Sequence, residues 1–247
     1  KREARSQTGL FLLEGPQAVT EALAFRPEPA VDLFATPTAV ERHGRLAIAA
    51  AAVDLEIEFV SEEVLDAMAD TVTPQGVVAV AAQFTSTLAE VVAAKPRLVA
   101  ILEEVRDPGN AGTILRAADA AGADAVIFSG KSVDPYNPKV VRSTTGSMFH
   151  VPIVSGVDLN EVVAAMHDAG LTVIAADVKG DDLLEHRAVL QLPTAWLFGN
   201  EAHGLDDAQL AKADRALRLP IFGRAESLNL ATAASVCLYE SAFAQRG

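Results

Sequence analysis

The 247 residues are half hydrophobic and 21% charged, with a net charge of −13. That apolar content fills a core and excludes global disorder, and one cysteine, Cys237, excludes an intramolecular disulfide framework. The acidic balance argues against a nonspecific polyanion binder, which normally carries a basic surplus.

The argument from charge is weakened by distribution: residues 1–94 carry −8 and residues 95–247 carry −5, with 14 of the 20 cations in the second segment. Local fields outweigh such sums. The lone cysteine lies in the apolar run Leu230–Tyr239, reads as a small core residue, and suits a reducing cytoplasm. The histidines at 43, 150, 167, 186 and 203 are scattered, so no metal site is expected. There is no signal peptide and no apolar run long enough to span a bilayer; a cytoplasmic protein without a membrane partner is expected. The chain opens at Lys1 rather than methionine, so a few residues are expected to precede it.

In chain order, Leu10–Leu13 predicts a strand, broken by Glu14-Gly15-Pro16, which starts a helix through Phe25. Val31–Ala35 is a second strand, followed by a helix from Thr38. Ile57–Val60 is a third, and Ser61 caps a helix whose first turn carries Glu62 and Glu63. Gly76–Ala82, almost wholly Val and Ala, predicts a strand buried on both faces. Phe84–Pro96 reads as a linker, which sets domains of 1–92 and 93–247. Arg2, Arg5, Arg42 and Arg45 are scattered cations of the first segment, and nothing there looks catalytic.

The second segment opens with the apolar strand Leu98–Leu102. Asp107-Pro108-Gly109-Asn110 is dense turn chemistry, and Asn110 or Thr113 can accept from the free amides opening the next helix. That helix runs to Ala121, with Gly122 placed to end it, and Ala125–Phe128 is the next strand. The unit invites a dinucleotide-binding reading, but the glycines at 109 and 112 do not make G-x-G-x-x-G, and no phosphate-cradling G-x-x-x-x-G-K-[ST] occurs. Lys139 and Arg142, three apart, can share a helical face and address an RNA phosphate. Val151–Val154 and Leu171–Ala175 are strands flanking an amphipathic helix, Leu159–Ala169. The alternation throughout is α/β.

The C-terminal third carries the chemistry. Ala195–Phe198 is a buried strand running into Gly199-Asn200-Glu201-Ala202-His203-Gly204, which places an acid between glycines where open α/β sheets bind ligands. Ala216–Leu219 is a strand stopped by Pro220. The loop Ile221–Asn229 then feeds a long helix to Ala244, with Ser227 and Asn229 at its start beside free backbone amides.

Each piece is weak alone; their order is specific. N-x-G-x-x-x-R, then G-N-E-x-x-G-L, then L-P-x-x-G-x-x-x-S-L-N-x-x-x-A resembles the three-motif pattern of the SpoU/TrmH family over residues 98–246, and residues 1–90 resemble the L30e/L7Ae-like RNA-recognition domain that some members carry. The resemblance implies a SPOUT α/β domain tied in a trefoil knot, a homodimer, and methyl transfer from S-adenosylmethionine to a ribose 2′-hydroxyl of structured RNA. S-adenosylhomocysteine is the implied product, and no metal takes part. Position by position, it assigns Asn110, Arg116, Glu201, Ser227 and Asn229 to catalysis. It assigns Phe198, Gly199, Asn200, Gly204, Leu219, Ile221 and Leu228 to the cofactor. An added N-terminal domain suits folded 23S ribosomal RNA, with transfer RNA the alternative. A nonenzymatic RNA-binding protein on the same fold is the rival reading, disfavoured by the intact motif residues. A nicotinamide oxidoreductase is disfavoured by the absent glycine fingerprint.

Overall fold

The computed structural model describes residues 2–247, except for the side chain of Arg2. Of the four scattered arginines, Arg2 therefore lies outside the described side chains. The chain opens with α1 (Arg2–Thr8), β1 (Leu10–Glu14), α2 (Pro16–Phe25), β2 (Ala30–Ala35), α3 (Pro37–Arg42), α4 (Gly44–Ala52), β3 (Ile57–Phe59), α5 (Glu62–Met68) and β4 (Val77–Ala82). It continues through α6 (Leu88–Ala93), β5 (Leu98–Glu103), α7 (Pro108–Ala121), β6 (Ala125–Ser129), α8 (Pro138–Thr144), β7 (Ile153–Val157), α9 (Leu159–Asp168) and β8 (Thr172–Asp182). A 3₁₀ segment (Leu183–Gln191), β9 (Thr194–Phe198), α10 (Asp207–Leu210), β10 (Arg215–Arg218) and α11 (Leu230–Arg246) complete it.

Contacts divide the chain into two compact units: Lys1–Phe84 with Tyr136–His150, and Thr85–Pro135 with Val151–Gly247. Chain order alone had assigned 136–150 to the second segment. Long-range packing groups it with the first: Tyr136 lies 4.7 Å from Phe11 between ring centroids, and its hydroxyl accepts from the Phe84 amide at 2.8 Å. The stretch read as a linker is partly helical. Thr87 caps α6 by accepting from the Glu90 amide at 3.2 Å, while the Glu90 carboxylate accepts from the Thr87 amide at 2.7 Å. Those donations, the backbone amide of Thr87 first and its hydroxyl second, hold the Glu90 carboxyl below its ordinary range.

In the first unit the strands run β1-β4-β2-β3, with β4 antiparallel to both neighbours and β2 parallel to β3. As its Val/Ala sequence requires, β4 is mostly buried, and Leu13, Val19, Leu33, Leu46 and Leu65 close the core around it. Ser61 caps α5 as expected, accepting from the Val64 amide at 3.3 Å.

The second unit is a six-stranded sheet, β10-β8-β9-β5-β6-β7, parallel throughout. Strands β9, β5 and β6 at its centre are fully buried and near-continuously apolar, as parallel strands covered on both faces must be. Val99, Ile101, Ile127, Val162, Met166 and Leu197 pack in one cluster. Trp196 is fully buried and donates its indole N–H to Ser241 of α11 at 2.8 Å. The strands build outward from β5 to β7 on one side and then resume on the other. The reversal falls between β5 and β9, where a parallel sheet opens a crevice at its carboxyl ends. The register Leu102↔Phe198 sets the end of β5 beside Gly199 in that crevice. One strand is irregular: β8 pairs Ala175 with Ala216, then Asp181 with Leu217, so residues 176–180 leave the ladder.

Candidate functional site

Helix α7 starts at Pro108 because Asp107 caps it, accepting from the Asn110 amide at 2.7 Å, and Pro occupies the position where no N–H is needed. Asn110 and Thr113 are therefore not the cap; the Asp-Pro pair in the sequence already carried that signal. Gly122 ends the helix in the left-handed region at φ 68°, as expected. With the cap supplied by Asp107, the Asn110 side chain faces outward to other segments.

What it meets is the acid of the glycine-rich turn. Glu201 accepts from the amides of Arg106 at 3.1 Å and Asp107 at 3.0 Å, and from the Asn110 side chain at 3.4 Å. Asn110 Oδ1 in turn accepts from Asn229 Nδ2 at 3.0 Å. Asn229 caps α11 as well: its Oδ1 accepts from the amides of Ala231 at 2.9 Å and Thr232 at 3.2 Å. Three segments, with Asn110 lying 91 and 119 residues from its two partners, thus meet in one hydrogen-bonded chain, Glu201–Asn110–Asn229, at the carboxyl ends of β5 and β9. The buried Asn200 adds a second tie, donating to the Glu104 carbonyl at 2.8 Å and accepting from the Ala202 amide at 2.9 Å.

Arg116 lies two turns further along α7, exposed, with no hydrogen-bonding or ionic partner among the described residues. A surface ion pair with Asp119, the ordinary reading of that spacing, is not what the structure contains. Ser227 is exposed in the loop before α11, and the structure does not join it to the hydrogen-bonded chain. Lys139 and Arg142 belong to α8 in the first unit. Lys139 is exposed. The Arg142 guanidinium is engaged by Asp70 at 3.2 Å and by the mostly buried Glu14 at 3.5 Å, partners more than seventy residues away that no local pattern discloses.

The residues expected to hold a cofactor fall in two stretches, the Phe198–Gly204 turn and the segment after β10. The Gly199–Gly204 turn closes on itself through Asn200 N–H to Gly204 O at 3.1 Å and the reverse bond at 2.9 Å. A Cβ on Gly199 would lie 2.5 Å from the Gly204 carbonyl carbon and 2.7 Å from the Leu205 nitrogen, so only glycine lets the two arms of the turn approach. The turn therefore offers main chain to a ligand. Phe198 is buried beneath it, stacked with Trp196 at 6.2 Å. After β10, Leu219 is half-buried, whereas Ile221 and Leu228 are 38% and 42% exposed. Cys237, on α11, stays out of the chemistry: it is buried, and burial pushes its thiol well above the ordinary range. No group of His, Cys, Asp and Glu among the described residues is arranged to hold a metal.

Comparison with known proteins matches both parts of the chain. The SpoU rRNA Methylase family profile matches residues 97–239, and the profile described as RNA 2'-O ribose methyltransferase substrate binding matches residues 12–87. A 23S rRNA (guanosine(2553)-2'-O)-methyltransferase of Bacillus subtilis is 34% identical, over 96% of this chain and 90% of that protein. Among solved structures, the AdoMet-bound rRNA methyltransferase from Sinorhizobium meliloti superposes with a TM-score of 0.83 at 33% identity, covering 98% of this chain and 90% of that one. The SpoU methyltransferase AviRb from Streptomyces viridochromogenes, in complex with AdoMet, gives 0.85 at 31% identity, covering 98% and 93%.

Proposed function

Because the chain belongs to the SpoU rRNA Methylase family, we propose that it transfers a methyl group from S-adenosylmethionine to a ribose 2′-hydroxyl of 23S ribosomal RNA. The observation that carries this reading is the Glu201–Asn110–Asn229 chain, which joins the three sequence motifs at the carboxyl ends of the sheet. The first domain, 1–92 with boundaries from the sequence, takes the RNA, and the second, 93–247, holds the cofactor and the chemistry.

Gly199, Asn200 and Gly204 would hold the cofactor through main chain, with Phe198, Leu219, Ile221 and Leu228 enclosing its base. Bound there, S-adenosylmethionine supplies a methyl group already activated by a positively charged sulfur, without need of a metal. The protein has two remaining tasks: to hold the ribose oxygen in line and to ease loss of its proton. Asn110 and Asn229 fix each other and the start of α11, and Glu201 fixes the loop before α7, so the crevice is organised before substrate arrives. Arg116, exposed and without a partner among the described residues, is the group available to RNA. A guanidinium with a pKa above about 12 is a poor base; its role is to hold the phosphate beside the target ribose and to stabilise the developing alkoxide. Ser227 lies in the loop that covers the reacting oxygen in this reading.

The homodimer belongs to the same proposal. Val236, Tyr239 and Phe243 recur along one side of α11 and stay exposed, Phe243 at 63%, which supports a face covered by a second copy. The knot does too, and family membership is what supports it.

Labelled methyl transfer to unmodified ribosomal RNA and to transfer RNA, run separately, tests the function. Counts in ribosomal RNA are expected. Counts confined to transfer RNA would replace the substrate, and counts in neither, with cofactor bound, would favour a nonenzymatic RNA-binding protein.

A further inference from the structure

We propose that Asp177 is a cofactor-binding residue whose carboxylate accepts hydrogen bonds from the ribose hydroxyls of S-adenosylmethionine; the proposal rests on the functional reading above. None of the three motifs includes this residue. Its position follows from the irregularity of β8. The strand pairs β9 as far as Ala175↔Leu197 and pairs β10 as far as Ala175↔Ala216, then leaves the ladder for residues 176–180 before pairing resumes at Asp181. The excursion therefore begins at the carboxyl end of the ladder, one strand over from the turn at Gly199–Gly204. It is held there by Arg218, which donates to the Gly180 carbonyl at 2.9 Å and pairs with Asp182 at 3.5 Å.

Within the excursion Asp177 is half-buried and oriented. Its Oδ1 accepts from the Lys179 amide at 2.8 Å. Its Oδ2 lies 3.9 Å from the point where a side chain on Gly204 would begin, on the far arm of the turn. No cation or hydrogen-bond donor among the described residues meets Oδ2. An ionised carboxylate only accepts hydrogen bonds, so a ligand that completes it must bring donors. The cofactor brings adjacent hydroxyls on its ribose. An acid at a strand end beside a glycine turn meeting a ribose hydroxyl is also how parallel sheets bind other nucleosides.

The test is calorimetric binding of S-adenosylmethionine and of 5′-methylthioadenosine, which keeps the ribose but lacks the amino-acid group, to the intact chain and to Asp177→Asn. The amide oxygen of Asn preserves the bond from Lys179 while the free acceptor becomes an N–H₂ group. Both ligands are expected to bind about tenfold or more weakly, the lower end for a lost hydrogen bond to a charged acceptor, with the urea midpoint unchanged. Asp177→Ala should weaken both further. Unchanged affinities would overturn the proposal alone, and so would a loss confined to S-adenosylmethionine, which would place the carboxylate at the ammonium group. Failure of the unsubstituted chain to bind either ligand would instead overturn the functional reading on which it rests.

Discussion

Substituting alanine for Gly199 tests the proposed role of the Gly199–Gly204 turn at its tightest point. The added Cβ would stand 2.5 Å from the Gly204 carbonyl carbon, 2.7 Å from its oxygen and 2.7 Å from the Leu205 nitrogen. Favourable carbon contacts begin near 3.5 Å, so the arms of the turn must part by about an ångström. All three obstructing atoms are main chain, and no rotamer change relieves them. Parting the arms breaks the paired bonds between Asn200 and Gly204, each worth about 0.5–1.5 kcal/mol. Overpacking adds about 1–3 kcal/mol, which gives about 2–6 kcal/mol in all. The strands beneath are untouched, and a cost of that size leaves a typical domain folded. Calorimetry with S-adenosylmethionine should show affinity lowered by more than about tenfold, since only 1.4 kcal/mol of the local cost need reach the bound state, and urea unfolding should show a lower midpoint. Native affinity together with a native midpoint would refute the claim that the closed turn forms the cofactor site.

Arg116→Ala should abolish methyl transfer while cofactor affinity stays within a few-fold; loss of both in equal measure would remove Arg116 from the reacting centre. Asn229→Ala removes a helix cap, costing about 1 kcal/mol in urea unfolding, together with the contact to Asn110, and transfer should fall strongly. Asn229→Ser restores the cap but not the reach to Asn110, so stability should recover and transfer should not; recovery of both would make Asn229 a cap alone. Phe243→Glu places a charge on the exposed side of α11 and should shift the protein toward monomer in sedimentation velocity, whereas an unchanged sedimentation coefficient would clear that face. Cys237 should resist iodoacetamide in the folded protein and react once urea unfolds it; rapid labelling of the native chain would contradict its burial.

Much of the site was legible because its chemistry is local. The Gly-Asn-Glu turn, the Asn and Arg of α7 and the Ser-Leu-Asn start of α11 each sit at an element boundary that glycine, proline and cap residues mark. The structure then joins Glu201, Asn110 and Asn229 directly. What stayed hidden depends on distant partners. Arg142 looks like a free cation until Glu14 and Asp70 are folded against it. Tyr136–His150 follows the second segment in sequence but packs with the first, through aromatic contacts to Phe11 and Phe84 that hydrophobic periodicity does not encode. The excursion of β8 lies just past the predicted strand Leu171–Ala175, in a run with no motif of its own, so the sequence gives no sign that Asp177 stands beside Gly204. The break at His43 between α3 and α4 is likewise hidden, because the helix-forming residues on either side are continuous apart from Gly44.

The most direct measurement is nucleoside analysis by mass spectrometry of unmodified 23S ribosomal RNA after incubation with the protein and S-adenosylmethionine. One new nucleoside is expected whose extra methyl group fragments with the ribose, absent when Arg116→Ala replaces the unsubstituted chain. A methyl group that fragments with the base, or one formed equally by Arg116→Ala, would contradict the proposed function.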